Sequence, residues 1–175
     1  VAKLEPSSSC IPEAVLRVVI GQMLSRAAAR AIYGRVCSAA IEDCVEPWLL
    51  PREDLRDCGL SNSKCKTIVQ FVRSYQANPK SYESWRNMEF PKLEEAVMFH
   101  WGMSRWTAGI LAIFHFGHED VFPESDGSLR RALATLTSGK RGLNKGNNFL
   151  EPSLASPYRS YLALYLWKAL DLSVI

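Results

Sequence analysis

Leu16, Val19, Ile20, Met23, Ala27, Ala31 and Ile32 recur at steps of three and four residues, the spacing that lines up side chains on one face of an α-helix. The period returns at Ile68, Val69, Phe71 and Val72, then at Leu129, Leu133 and Leu136, and last at Tyr161, Leu162, Tyr165, Leu166 and Leu170. No stretch shows a convincing two-residue alternation of a half-buried strand. An all-α fold is the expectation.

Punctuation divides this helical text. Pro12 suits a first turn, so a helix is predicted from Ile11 through Ile32. A further piece is predicted at 37–45. Residues 51–58 read as a short helix closed by Gly59, and Ser61 or Ser63 can cap a helix over 64–75. Residues 76–90 are a polar connector with a short helix near 81–86. Then come a helix over 91–100, a tight break at 101–104, and a second helix over 105–116 ending at Gly117. Another helix is expected after Asp126. Residues 138–149 (SGKRGLNKGNNF) read as a loop. Ser156 and Pro157 suit the N-cap and first position of a final helix reaching about Asp171.

With 175 residues, 47% of them apolar, the chain can form one domain or two small lobes sharing a core. No apolar run reaches the roughly 18 residues of a membrane span. The first twelve residues show no signal-peptide pattern.

The net charge of +3 is unevenly placed. Residues 36–60 hold Glu42, Asp43, Glu46, Glu53, Asp54 and Asp57 against Arg52 and Arg56, whereas 61–86 hold Lys64, Lys66, Arg73, Lys80 and Arg86 against Glu83. Such blocks can give one basic face suited to a polyanion, or simply solvated helix faces. Cys10, Cys37, Cys44, Cys58 and Cys65 lack a zinc or iron–sulfur spacing and read as small buried hydrophobes. His100, His115 and His118 do not form a metal-ligand spacing either.

Residues 120–131, DVFPESDGSLRR, place Asp126 just ahead of a helix and an arginine pair. Aspartate is a common N-cap. A carboxylate at a helix N-terminus is also held in its charged form, which suits it to stabilise a developing cation.

Four stretches, in order, resemble the helix-hairpin-helix DNA glycosylases, specifically the alkylation-damage branch. They are VVIGQMLSRAAARAIYGRV (18–36), LRDCGLSNSKCKTI (55–68), FHWGMSRWTAGILAIFHFGHEDVFPESDGSLRRAL (99–133) and SPYRSYLALYLWKALD (156–171). The resemblance implies two helical lobes with DNA crossing between them. One would span about 36–116, including the hairpin at 91–116, and the other 1–35 plus 117–175. It implies catalysis by Asp126, which would shelter positive charge on the sugar as the C1′–N bond breaks. It implies a base pocket from Trp106, Trp167, Tyr165 and Ile110, and a wedge from Gln22, Met23 or Leu24 that fills the gap left by an extruded base. Gly102, Ser104, Arg105, Thr107, Arg130, Arg159 and the Lys140–Lys145 loop are the implied DNA-backbone contacts.

The departures are informative. Ser104 stands where the family has a second hairpin glycine, and can serve as an N-cap instead. Ser125 replaces an acid and Ile110 an aromatic. Trp106 stands where relatives that also cut the backbone carry a lysine, so the implied chemistry is hydrolysis without a lyase step. The implied partner is double-stranded DNA containing alkylated bases, met by a monomer without cofactor or metal, in a nucleus or a bacterial nucleoid. The alternatives are a DNA-binding module without chemistry, a glycosylase for deaminated or oxidised bases, and a protein-interaction domain.

Overall fold

The computed structural model describes residues 3–138 and 151–175. Among them there are helices and no strands. In chain order they are α1 (Ile11–Gly21), α2 (Arg26–Glu42), α3 (Arg52–Asp57), α4 (Asn62–Ala77), α5 (Pro79–Glu83), α6 (Phe90–Met98), α7 (Arg105–Phe114), α8 (Gly127–Ser138) and α9 (Arg159–Asp171). Short 3-10 turns lie at Pro47–Leu49, Ser84–Asn87 and Pro152–Ala155.

Local signals account for most boundaries. Ser61 accepts the Lys64 amide and caps α4. Gly59 takes φ +99 after α3, a conformation open to glycine. Several boundaries differ from the sequence reading, and the separate piece predicted at 37–45 is the end of α2, which runs unbroken to Glu42. The predicted first helix is two helices, because the chain turns at Gln22–Ser25. Met23 adopts φ +57 there, and Ser25 caps α2 by accepting the Ala28 amide. The final helix begins at Arg159, not at Pro157, after the 3-10 turn at Pro152–Ala155. Cys58 and Cys65 are buried as expected, but Cys44 is exposed.

α1 lies against α2, α4 and α7, α6 pairs with α7, and α8 pairs with α9. Thus the first helix, assigned from the resemblance to the same lobe as 117–175, makes its main helix contacts within residues 26–114. The buried apolar residues form one cluster running from Ile11 to Leu166. α7 is its axis: Ala108, Leu111, Ala112 and Ile113 are fully enclosed. Burying Leu111 or Ile113 contributes roughly 1.5–3 kcal/mol each. This buried face fixes the rotation of α7 and turns Trp106, Ile110 and Phe114 to another side.

Candidate active site

Asp126 ends the loop before α8 and caps that helix. Its Oδ1 accepts the backbone N–H groups of Ser128 and Leu129, each at 2.9 Å, and the Ser128 hydroxyl. Its Oδ2 accepts the indole Nε1–H of Trp106 at 2.8 Å. Burial alone would raise the Asp126 pKa. The Ser128 hydroxyl, the Trp106 indole and the Leu129 and Ser128 amides, all bonded to the charged form, outweigh it and hold the pKa below the ordinary carboxylate value. The cap and the charged carboxylate are therefore one arrangement.

Ser128 links this carboxylate to the last helix. Its Oγ accepts the indole Nε1–H of Trp167 at 3.1 Å. The Trp167 ring lies 5.6 Å from that of Phe114, tilted by 32°. Phe114 stands two turns beyond Trp106 on α7, with Ile110 between, so the three share a face. Trp106 thus bonds the half-buried carboxylate directly, Trp167 reaches it through Ser128, and Phe114 packs on Trp167. An electron-poor or cationic purine suits such aromatic surfaces.

Tyr165 does not join this group. It is two residues from Trp167, about 200° around a helix of 3.6 residues per turn, and is 55% exposed. Ser128 and Phe114 are additions that the sequence reading missed. The signal for Phe114 was its i+8 spacing from Trp106. For Ser128 it was the second helical position behind an aspartate cap.

The hairpin between α6 and α7 is tightly built. Gly102 has φ +78, and a Cβ there would lie 2.0 Å from Thr67 Oγ1. Ser104, in place of a second glycine, has φ −124 and needs no special freedom. It forms a capping box with Thr107, each side chain bonding the other's backbone. Ser104 is exposed at the start of α7.

Several residues expected to touch DNA are otherwise engaged. Thr107 is fully buried, with its hydroxyl used inside the capping box, so it cannot reach a phosphate. Arg159 is held by Asp120, with Nε 2.7 Å from Oδ1 and Nη2 3.1 Å from Oδ2. This paired guanidinium is not a free phosphate ligand. Arg105 pairs with Glu94 at 3.0 Å but stays 66% exposed. Arg130 is exposed on α8. The Lys140–Lys145 loop lies outside the described residues.

The three wedge candidates separate clearly. Gln22 is half-buried, and its Nε2 donates to Gly102 O and Thr107 Oγ1, both at 3.1 Å. It joins α1 to the hairpin and is not available as a wedge. Leu24 is 40% exposed, whereas Met23 is 101% exposed at the tip of the turn. Among the described residues, no group of three or more His, Cys, Asp or Glu could hold a metal ion. Among them also, no helix is long and apolar enough to cross a membrane.

No family model matches the chain. It is 27% identical to an alkylbase DNA glycosidase-like protein of Schizosaccharomyces pombe, over 89% of its own length and 76% of that protein's. It is also 27% identical to DNA-3-methyladenine glycosylase 1 of the same organism, over 92% and 73% of the two chains. Among solved structures, a DNA-3-methyladenine glycosidase from Bacillus halodurans superposes with a TM-score of 0.72 at 26% identity, over 97% of this chain and 78% of that one. The S. pombe 3-methyladenine DNA glycosylase in complex with abasic DNA gives 0.70 at 27%, over 96% and 86%.

Proposed function

Because the chain belongs to the 3-methyladenine DNA glycosylases of the helix-hairpin-helix fold, we propose that it excises alkylated purines from duplex DNA by simple hydrolysis. Base-excision repair is its process and DNA its partner. In this reading the damaged nucleotide leaves the stack, because its glycosidic bond is unreachable inside a duplex. The base lies against Trp106, Ile110, Phe114 and Trp167. As the C1′–N bond lengthens, positive charge gathers on the sugar, and the ionised Asp126 stabilises it. A methylated purine is already a good leaving group, so little general-acid help is required.

One observation carries this reading: a carboxylate kept charged by four donors, half-buried beside two indoles. Trp106 supports the absence of a lyase step, since an indole cannot form a Schiff base with C1′. We further propose that the protein acts as a monomer where genomic DNA is kept, in a nucleus or a nucleoid.

The test is to incubate the protein with alkylated DNA and identify the released bases, then repeat with Asp126→Asn. Free methylpurine from the wild type and a loss of at least about a hundredfold in the variant are expected. Release that survives in Asp126→Asn would overturn the assignment of Asp126. A second reading, a DNA-gripping domain without chemistry, draws on one observation. Both Asp126 oxygens already accept hydrogen bonds, as a purely structural cap would. Binding of damaged duplex with no base released by the wild type would favour that reading.

A further inference from the structure

The turn that presents Met23 is not held by Met23 itself. The side chain is fully exposed, and its backbone sits at φ +57, a conformation that residues other than glycine keep only where the surroundings impose it. What imposes it is α4. The ammonium of Lys64 donates to Ile20 O at 2.9 Å and to Gln22 O at 2.7 Å. These are carbonyls at the C-terminal end of α1, where a helix leaves acceptors unmet and favours a cation. Burial pushes the Lys64 pKa below the ordinary lysine value, so the amine has given up water for these two oxygens.

Gln22 carries the restraint onward. Its backbone carbonyl is held by Lys64, and its amide nitrogen donates to Gly102 O and Thr107 Oγ1 in the hairpin. One turn along α4 from Lys64, Thr67 packs against Gly102. One helix therefore sets both the Met23 turn and the hairpin.

We propose that Lys64 is a positioning residue for base extrusion: by clamping the carbonyls of Ile20 and Gln22 it aims Met23 into the duplex and fixes that turn in register with the hairpin. The inference rests on the glycosylase reading and on Met23 entering the gap. It assigns Lys64 no contact with the substrate. A misaimed wedge matters most where the lesion is stacked and paired, and least where it is already unstacked.

The experiment measures single-turnover release of a methylated purine from two duplexes. One is fully paired, and the other carries an abasic site opposite the lesion. Lys64→Met is expected to slow release from the paired duplex by about tenfold or more, the scale of one lost charge-assisted hydrogen bond. Release from the duplex with the abasic site opposite the lesion should stay within about threefold of wild type. Lys64→Arg, which keeps the charge and donors, should recover most of the paired-duplex rate. Equal losses on both duplexes, or no loss on either, would overturn the proposal. If Lys64→Met fails to fold by circular dichroism, Gln22→Ala is read the same way: the split is expected, and equal losses overturn it. Asp126→Asn is run beside them. Release that survives in it would overturn the assignment of Asp126, no release from the wild type would overturn the glycosylase reading, and a dead Asp126→Asn with an unsplit Lys64 variant overturns only the positioning role.

Discussion

Trp106 and Asp126, twenty residues apart in the chain, are joined by an indole N–H to carboxylate hydrogen bond of 2.8 Å. The indole proposed to face the base therefore also orients the acid. Trp106→Phe separates the two roles by keeping an aromatic face and removing the donor. A hydrogen bond to a charged group contributes about 1.5–3 kcal/mol, so single-turnover release should fall by roughly tenfold or more. The pKa of Asp126 should move up toward the ordinary carboxylate value, because one bond favouring its charged form is gone. Carboxyl-carbon NMR titration of wild type and variant checks the direction.

His115 makes stability fall in mild acid. It is 3% exposed, and burial, reinforced by the Arg86 charge, lowers its pKa from 6.5 to about 4. Its Nε2 has no partner. The unfolded chain takes up this proton near pH 6.5, while the folded chain resists until about pH 4. The contribution is therefore complete above pH 6.5 and is lost progressively as pH falls through that window. Its size is on the order of 3 kcal/mol. Urea unfolding at stepped pH should show the decline, and His115→Asn should flatten it between pH 6.5 and 4.

Gly102 and Thr67 should prove energetically coupled. A Cβ at Gly102 meets Thr67 Oγ1 at 2.0 Å, and φ +78 adds backbone strain. Gly102→Ala should destabilise by about 2 kcal/mol or more. Thr67→Ala in the same chain removes the obstructing hydroxyl, so the double variant should be more stable than the sum of the two single losses requires. A double-mutant cycle by urea unfolding measures the coupling.

Arg130 and Arg159 should behave differently on DNA. Arg159 is already neutralised by Asp120, so Arg159→Ala should leave the salt dependence of binding unchanged and lower stability by about 1 kcal/mol. Arg130 is exposed on α8, directly behind the Asp126 cap. Arg130→Ala should reduce the slope of log affinity against log salt by about 1. Equal slopes in Arg130→Ala and wild type would remove Arg130 from the phosphate contacts.

Helices were readable from sequence at several places where periodicity and a cap coincided, though the Ser25 cap of α2 was passed over. The Ser61 cap of α4, the Gly59 stop and the paired helices of the hairpin are the clear cases. The break at Met23 was missed: Ser25 gave a local cap signal, but the Lys64 ammonium that binds the carbonyls of Ile20 and Gln22 lies far along the chain. The site shows the same division. Asp126, Trp106 and Trp167 could be singled out by motif, and the structure brings them together through Ser128. Tyr165 was drawn in by sequence proximity, which on a helix places it across from Trp167. Arg159 could not be excluded without sight of Asp120, which sits in a different segment. Ser104 shows that a departure from the resembled pattern can carry its own role: it caps α7.

The double duty of Asp126 has an evolutionary corollary. Since this side chain starts α8 as well as serving the chemistry proposed for it, discarding it would penalise folding even in a descendant that had stopped cutting DNA. Such a retired relative would keep its aspartate for architectural reasons. Persistence of the acid along a lineage therefore testifies to an intact helix, and only turnover testifies to a working enzyme.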